Sequence, residues 1–214
     1  YVLKRRGVLT YGTGLNHAFL RSRPELDRPD VQFFFMHASY ANAAERKLHR
    51  FPGMTLGVTQ LRPRSCGSIH AISPDLSVQP AIAPNFLDHE EDRRVMVDGM
   101  KLARDIIEQK PMDAFRVAEL SPGSNCNSDE DWLSFARANG QTIYHAAGTC
   151  RMGVDPLAVV DPSLCVHGIA GLRVIDASVM PEMVSGNTQA AVMMLAAKAA
   201  DIVLEDKGQA PAGR

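Results

Sequence analysis

The chain has 214 residues, 45% hydrophobic and 22% charged, and 23 basic side chains against 24 acidic ones leave a formal net charge of -1. That balance excludes wholesale disorder, a collagen-like repeat and a disulfide miniprotein, and it gives no electrostatic footprint for nucleic acid. The length suits one large domain or two small ones with a sizeable apolar core.

Residues 31–37 (VQFFFMH) and 54–61 (MTLGVTQL) are rich in β-branched and aromatic side chains and are bounded by Pro and Gly, which predicts two strands. Between them Ser39 to Arg50 is polar and basic with several alanines, fitting a surface loop or a short helix. Ser68 to Ile72 predicts another strand after the Arg62-Pro63-Arg64-Ser65 turn, and Pro80 and Pro84 bracket a further extended piece. From Asp88 the pattern turns helical. Val95, Met100, Leu102, Ala103, Ile106 and Ile107 make an apolar stripe, Asp88 is the expected N-cap and Pro111 the stop. A second amphipathic helix is expected after the 121–125 loop, started by a capping box of Ser128 and Asp131 and buried through Trp132, Leu133, Phe135 and Ala136.

Short strands are expected over 159–162, 164–168 and 171–176, the last of them buried with Asp176 at its carboxyl end, where ligands gather. Asn187 stands where the N-cap of a terminal helix belongs. That helix, Thr188 to Glu205, is apolar around most of its circumference and is expected to be buried centrally. Gly208 to Arg214 reads as a loose tail.

Cys66, Cys126, Cys150 and Cys165 are scattered and show no CxxC spacing, so a reducing, cytoplasmic compartment is expected, with peripheral membrane association left open. The most apolar stretch, 190–204, contains Lys198 and Asp201 and is shorter than the roughly 20 residues that cross a bilayer, so no transmembrane segment is expected. The chain opens on Tyr1 rather than Met and carries no targeting pattern, consistent with a piece of a longer protein.

Candidate chemistry is concentrated in the last third. His145 precedes a glycine-punctuated turn, which holds an imidazole at a bend; its bland alternative is a turn histidine bonded to backbone. His145, Cys150, Cys165 and His167 supply the donor types of a zinc site, but their spacing is unlike paired zinc knuckles and no metal is expected. The first N–H groups of the terminal helix lack intrahelical partners and favour negative charge on a bound group.

YHAAGTCRMG (144–153), VVDPSLCVHGIAGLRVIDASVMP (159–181) and VSGNTQAAVMMLAAKAADIVLED (184–206) resemble the carboxyl-terminal signature of the glucose–methanol–choline (GMC) oxidoreductases, close to the choline dehydrogenase and alcohol dehydrogenase branch. GVLTYG (7–12), LRPRSCGSI (61–69), PNFLDHEEDRR (84–94) and AELSPG (118–123) resemble that family's substrate domain. The resemblance implies FAD-dependent oxidation of a primary or secondary alcohol to a carbonyl compound, with oxygen or another molecule as electron acceptor. His145 falls on the family's proton-accepting histidine. Asn187 falls on its second His or Asn, which hydrogen-bonds the same oxygen. Asp176 and Ala177 fall on an FAD-contacting segment, and Asn187, Thr188 and Gln189 fall on flavin contacts at the helix start.

The implied fold class is α+β. Residues 1–10 are a leading segment, 11–141 a substrate-binding domain built as an antiparallel sheet with flanking helices, and 142–214 the carboxyl-terminal strand and helix part of an FAD-binding α/β domain. His145 and Asn187 are expected to face a cleft at the junction. There are departures from the family pattern. The GxGxxG fingerprint is missing, since Gly12-Thr13-Gly14 lacks a third glycine; Cys66 replaces the usual Arg, and Gln189-Ala190-Ala191 replaces a polar, Pro-containing continuation. An amino-terminal FAD-binding portion is therefore expected to be required, with the isolated chain inactive and holding FAD weakly. The alternative function is a non-catalytic substrate-domain remnant or binding module without its flavin half.

Overall fold

β1 (Asn16–Leu20), β2 (Val31–Met36), β3 (Tyr40–Asn42), β4 (Lys47–Leu48) and β5 (Thr55–Gln60) open a computed structural model that describes Arg5, Gly14 and residues 16–43 and 45–208. The rest of the leading segment, the 7–12 match, Gly12-Thr13 and the tail after Gly208 lie outside the described residues. β1, β2 and β5 make one antiparallel sheet with β2 in the middle. Gln32 stands opposite Phe19 and Thr59, and Phe34 opposite His17 and Gly57. Opposed residues share a face. One face therefore carries Val31, Phe33 and Val58, and the other carries His17, Phe19, Gln32 and Phe34. Within Ser39 to Arg50, expected as a loop or short helix, β3 and β4 pair as a two-stranded ribbon, closed by the His49 N–H donating to the Ser39 carbonyl at 2.9 Å.

α1 (Glu90–Ile107) covers the first face, where Val31, Phe33, Val95 and Ala103 are buried with Leu20, Leu56, Val58, Leu102 and Ile106 packed around them. Its N-cap is His89 rather than Asp88, because His89 Nδ1 accepts the Glu91 N–H at 3.1 Å while the Asp88 N–H is turned back to the Asn85 carbonyl. Helix and sheet approach closely at Gly99, where a Cβ would lie 2.9 Å from Val58 Cγ1 and 3.1 Å from Val31 Cγ1. Gly99→Ala is accordingly expected to destabilise the protein by about 1 kcal/mol, overpacking of about 2 kcal/mol outweighing about 1 kcal/mol of helix propensity. A urea midpoint that rises in this variant would mean that the contact relaxes freely.

Asp92, in the first turn of α1, is only 1% exposed. It accepts the Arg64 N–H at 2.8 Å, the Ser65 N–H at 2.7 Å and Gln60 Nε2 at 2.7 Å. It thus fastens the 62–66 turn to the helix. α2 (Asp129–Asn139) begins with the capping box, Ser128 Oγ accepting from the Asp131 N–H at 3.2 Å and Asp131 Oδ2 from the Ser128 N–H at 2.9 Å. Trp132 is buried with Val97 and Cys126, and the Arg104 guanidinium lies 4.2 Å over its ring while donating to the Gly123 and Cys126 carbonyls.

The chain divides into two compact units, Tyr1–Cys66 with Asn85–Gln141, and Gly67–Pro84 with Thr142–Arg214. Among the described residues β6 (Ser68–His70) and β7 (Ala81–Ala83) pair only with each other, and residues 67–84, read above as part of the 11–141 domain, group with the second unit. In that unit the three expected strands shrink to single bridges: Met152 with Val160, Val160 with Val166, and Cys165 with Arg173. Left-handed backbone at Leu164 (φ 66), Gly168 (φ 77) and Gly171 (φ 77) turns the chain before a ladder can extend. The 171–176 segment is not buried either, Leu172 being 47% and Ile175 39% exposed.

α3 (Gln189–Asp206) rests on Val160, Leu164 and Val179 through Ala199 and Leu195. The expectation of central burial is corrected: Ala199 is the helix's one buried residue, and Met193 and Met194 are 63% and 65% exposed. Among the described residues the unit supplies a packing partner for one side of the helix only.

Candidate active site

All six candidate residues lie in the second unit. His145 is half-buried in an irregular segment, between two left-handed positions, Tyr144 (φ 63) and Gly148 (φ 87). The Tyr144 N–H donates to Thr142 Oγ1 at 3.0 Å, which stabilises the first bend. At the second bend a Cβ on Gly148 would come 3.4 Å from the Met180 carbonyl oxygen, so glycine serves both the positive φ and the close approach. Beyond it the chain is hooked to a 3₁₀ turn, Ala177–Val179: the Cys150 N–H donates to the Ser178 carbonyl at 2.9 Å and the Met152 N–H to the Val179 carbonyl at 2.8 Å.

The structure therefore ties the His145-bearing segment to the Asp176–Ala177 segment by backbone bonds. Asp176 is the N-cap of that turn, its Oδ1 accepting the Ser178 N–H at 2.7 Å. The 151–155 loop is stiffened by a bidentate pair, Arg151 Nη1 and Nη2 donating to the Asp155 carboxylate at 2.8 and 2.5 Å. Arg151, together with the Leu157 N–H, holds the Asp155 carboxyl down to about 2. His167 Nε2 meets the Gly153 carbonyl oxygen at 3.1 Å, a structural bond. Among the described residues no group of three or more His, Cys, Asp or Glu side chains is placed to hold a metal ion.

Asn187, Thr188 and Gln189 stand together at the start of α3. The N-cap is Thr188, not Asn187, and the Val192 N–H closes the first helical bond onto the Thr188 carbonyl at 2.9 Å. Thr188 has αR backbone and makes no side-chain capping bond, so the N–H groups of the first turn lack a side-chain cap. Asn187 and Gln189 are exposed. No hydrogen bond among the described residues joins His145 to Asn187. The participants that sequence reasoning missed are the amides of Cys150 and Met152 and the carbonyls of Ser178 and Val179; being backbone groups, they leave no residue-type signal.

Residues 63–196 match the model of the GMC oxidoreductase carboxyl-terminal domain. The chain belongs to the GMC oxidoreductase family. The matched residues include His145 and the whole segment from Asp176 to Gln189. The chain is 41% identical over 204 residues to an alcohol dehydrogenase (acceptor) of Pseudomonas putida, a match covering 95% of the chain and 37% of that protein. It is 38% identical over 214 residues to an oxygen-dependent choline dehydrogenase of Cronobacter sakazakii, again covering 95% and 37%. Its fold is similar to that of pyridoxine 4-oxidase from Mesorbium loti, with a TM-score of 0.77 and 28% identity over 87% of this chain and 37% of the other. The GMC chain thus spans 37% of the length of each of these relatives.

Proposed function

We propose that the chain is the carboxyl-terminal portion of an FAD-dependent oxidoreductase that oxidises a primary or secondary alcohol to a carbonyl compound. Beside its family membership, the observation that carries this function is the backbone union of the His145 segment with the Asp176–Val179 turn. It holds a candidate base and a candidate cofactor segment in one small body, as proton and hydride transfer from a single alcohol carbon and oxygen require.

FAD, when bound, supplies the acceptor for hydride from the alcohol carbon. The donor set fits it: α3 presents first-turn N–H groups without a side-chain cap at the positive end of an 18-residue helix, suited to the acceptor edge of a ring that gains negative charge. Asp176, Ala177, Asn187, Thr188 and Gln189 are the residues assigned to hold it. An imidazole accepts a proton near neutral pH whereas a carboxamide does not, so His145 takes the hydroxyl proton and Asn187 orients the alcohol oxygen.

The pyrophosphate cradle is assigned to an amino-terminal FAD-binding portion, without which the chain is inactive and retains FAD weakly. The open sides of α3, with Met193 and Met194 well over half exposed, support the need for such a covering portion. The four free cysteines fit a cytoplasmic location, and among the described residues no helix is long and apolar enough to cross a membrane.

The test is to co-express the chain with the amino-terminal flavin portion of a GMC relative and add alcohol without oxygen. Bleaching of the flavin absorbance is expected; a pair that holds flavin but is never reduced by any alcohol identifies a non-catalytic remnant. In the active pair Asn187→Ala is expected to slow reduction by roughly tenfold, the loss of one hydrogen bond to the reacting oxygen, with no change in melting temperature because Asn187 is exposed and Thr188 starts the helix. Lower melting with unchanged reduction would assign Asn187 to the fold alone.

A further inference from the structure

The β3–β4 ribbon is separate from the three-stranded sheet and, among the described residues, gives no side chain to a buried cluster. Its base is nevertheless fastened. His49 Nδ1 lies 3.0 Å from Ser39 Oγ, the Tyr40 hydroxyl donates to Met36 Sδ at 3.8 Å, and a Cβ on Gly53 would come 2.2 Å from Ser39 Oγ, so the returning chain packs tightly against the outgoing one. Beyond that base residues 41–43, 45–48, 50 and 51 are exposed. Two of them are large and apolar, Leu48 at 48% and Phe51 at 51% exposure. The Phe51 ring is stacked on His49, centroids 4.5 Å apart at 23°, which holds the exposed ring in one orientation. Within residues 45–51 Arg46, Lys47 and Arg50 stand against the single acid Glu45, a local positive excess on a chain of net charge -1. Lys47 and Arg50 make no ion pair among the described residues, whereas Arg94, Lys101 and Arg104 of α1 each meet a carboxylate.

We propose that the β3–β4 ribbon is a membrane-docking element, which seats Leu48 and Phe51 in the headgroup layer of an anionic phospholipid surface while Lys47 and Arg50 meet the lipid phosphates. The mixture of side chains argues the occupant. Exposed apolar groups gain by leaving water for the boundary between headgroups and acyl chains. Cations beside them are drawn to the negative surface, each Lys or Arg being worth about fivefold in binding. Their methylene stems lie along the apolar layer while the charged heads stay among the phosphates. Neither pair of side chains would hold a protein alone; together they give weak, reversible docking. A nucleic-acid strand suits the ribbon less well. It rewards a long basic track and free ring faces for its bases, whereas the basic run here is short and one face of Phe51 is taken by His49.

Co-sedimentation of the full chain with vesicles of phosphatidylcholine alone, and of phosphatidylcholine mixed with an equal part of phosphatidylglycerol, tests the surface. Binding to the mixed vesicles is expected to be at least about twentyfold tighter than to the neutral ones. It should fall away as salt rises from about 0.1 M to about 1 M, where the screening length shrinks from roughly 10 to roughly 3 Å. Lys47→Gln combined with Arg50→Gln should remove about twentyfold of the affinity at an unchanged melting temperature, since both side chains are exposed. Phe51→Trp gives a reading independent of charge. Its emission should shift to shorter wavelength on the mixed vesicles, while the parent, whose single tryptophan Trp132 is buried, should show no shift. No binding, or equal binding to both vesicles, would overturn the proposal. So would binding that survives the paired charge variant, which would place the contact elsewhere, as on the open side of α3. An unmoved Phe51→Trp emission with heparin held as tightly as the mixed vesicles would assign the ribbon to a soluble polyanion instead.

Discussion

Replacing His145 by alanine in the flavin-loaded protein is expected to slow flavin reduction by alcohol at least about a hundredfold, the lower end of what a positioned general base contributes. The expectation rests on placement. His145 is half-buried between two left-handed bends, one supported by Thr142 and the other requiring Gly148, and the chain after it is bonded to the turn that Asp176 caps. Nothing in its packing makes the ring part of a buried core. Melting temperature should therefore stay near that of the parent while stopped-flow reduction collapses. His145→Gln sharpens the test, since a carboxamide can bond the alcohol oxygen but cannot take its proton near neutral pH. Both variants should be slow. If His145→Gln reduced flavin at the parental rate, orientation rather than proton acceptance would be the role of the position.

The second large effect is structural. Asp92→Ala is expected to destabilise the protein by about 3 kcal/mol, because it strands the N–H groups of Arg64 and Ser65 and the amide of Gln60 against a buried space, each unpaired group costing about 1 kcal/mol or more. Urea unfolding with an unchanged slope is the appropriate reading; a loss under about 1 kcal/mol would show the 62–66 turn finding other partners. Burial by itself opposes ionisation of Asp92, but the bonds from Ser65, Arg64 and Gln60 outweigh it and set the carboxyl below its ordinary value. A depressed carboxyl stabilises the fold fully above the unfolded pKa of about 3.9, and that contribution is lost as pH falls through the lower folded value. The parent should thus lose stability more steeply below about pH 4 than Asp92→Ala does.

Much of the first unit was legible because its signals are local. β2 and β5 announce themselves by β-branched and aromatic runs, α1 by its stripe from Val95 to Ile107, and α2 by Ser128 and Asp131 three residues apart. β1 was not legible. NHAFL has no β-branched residue, and it is a strand because β2 offers it an edge. The choice of His89 over Asp88 as cap turned on where the 85–88 bend directs its amides, which no spacing rule shows. In the second unit hydrophobic runs at 159–176 suggested strands, but left-handed turns every few residues break them into bridges.

The amino-acid order by itself determined the family and the existence of the three α-helices, because these depend on residue types a few positions apart. Tertiary structure alone decided that the Cys150 and Met152 amides seize the Ser178 and Val179 carbonyls and, among the described residues, that α3 is covered on one side only and that Gln32 is enclosed with its amide oxygen unpaired. Register, burial and hydrogen-bond satisfaction are properties of pairs brought together from distant parts of the chain, and no local pattern encodes which partner will arrive.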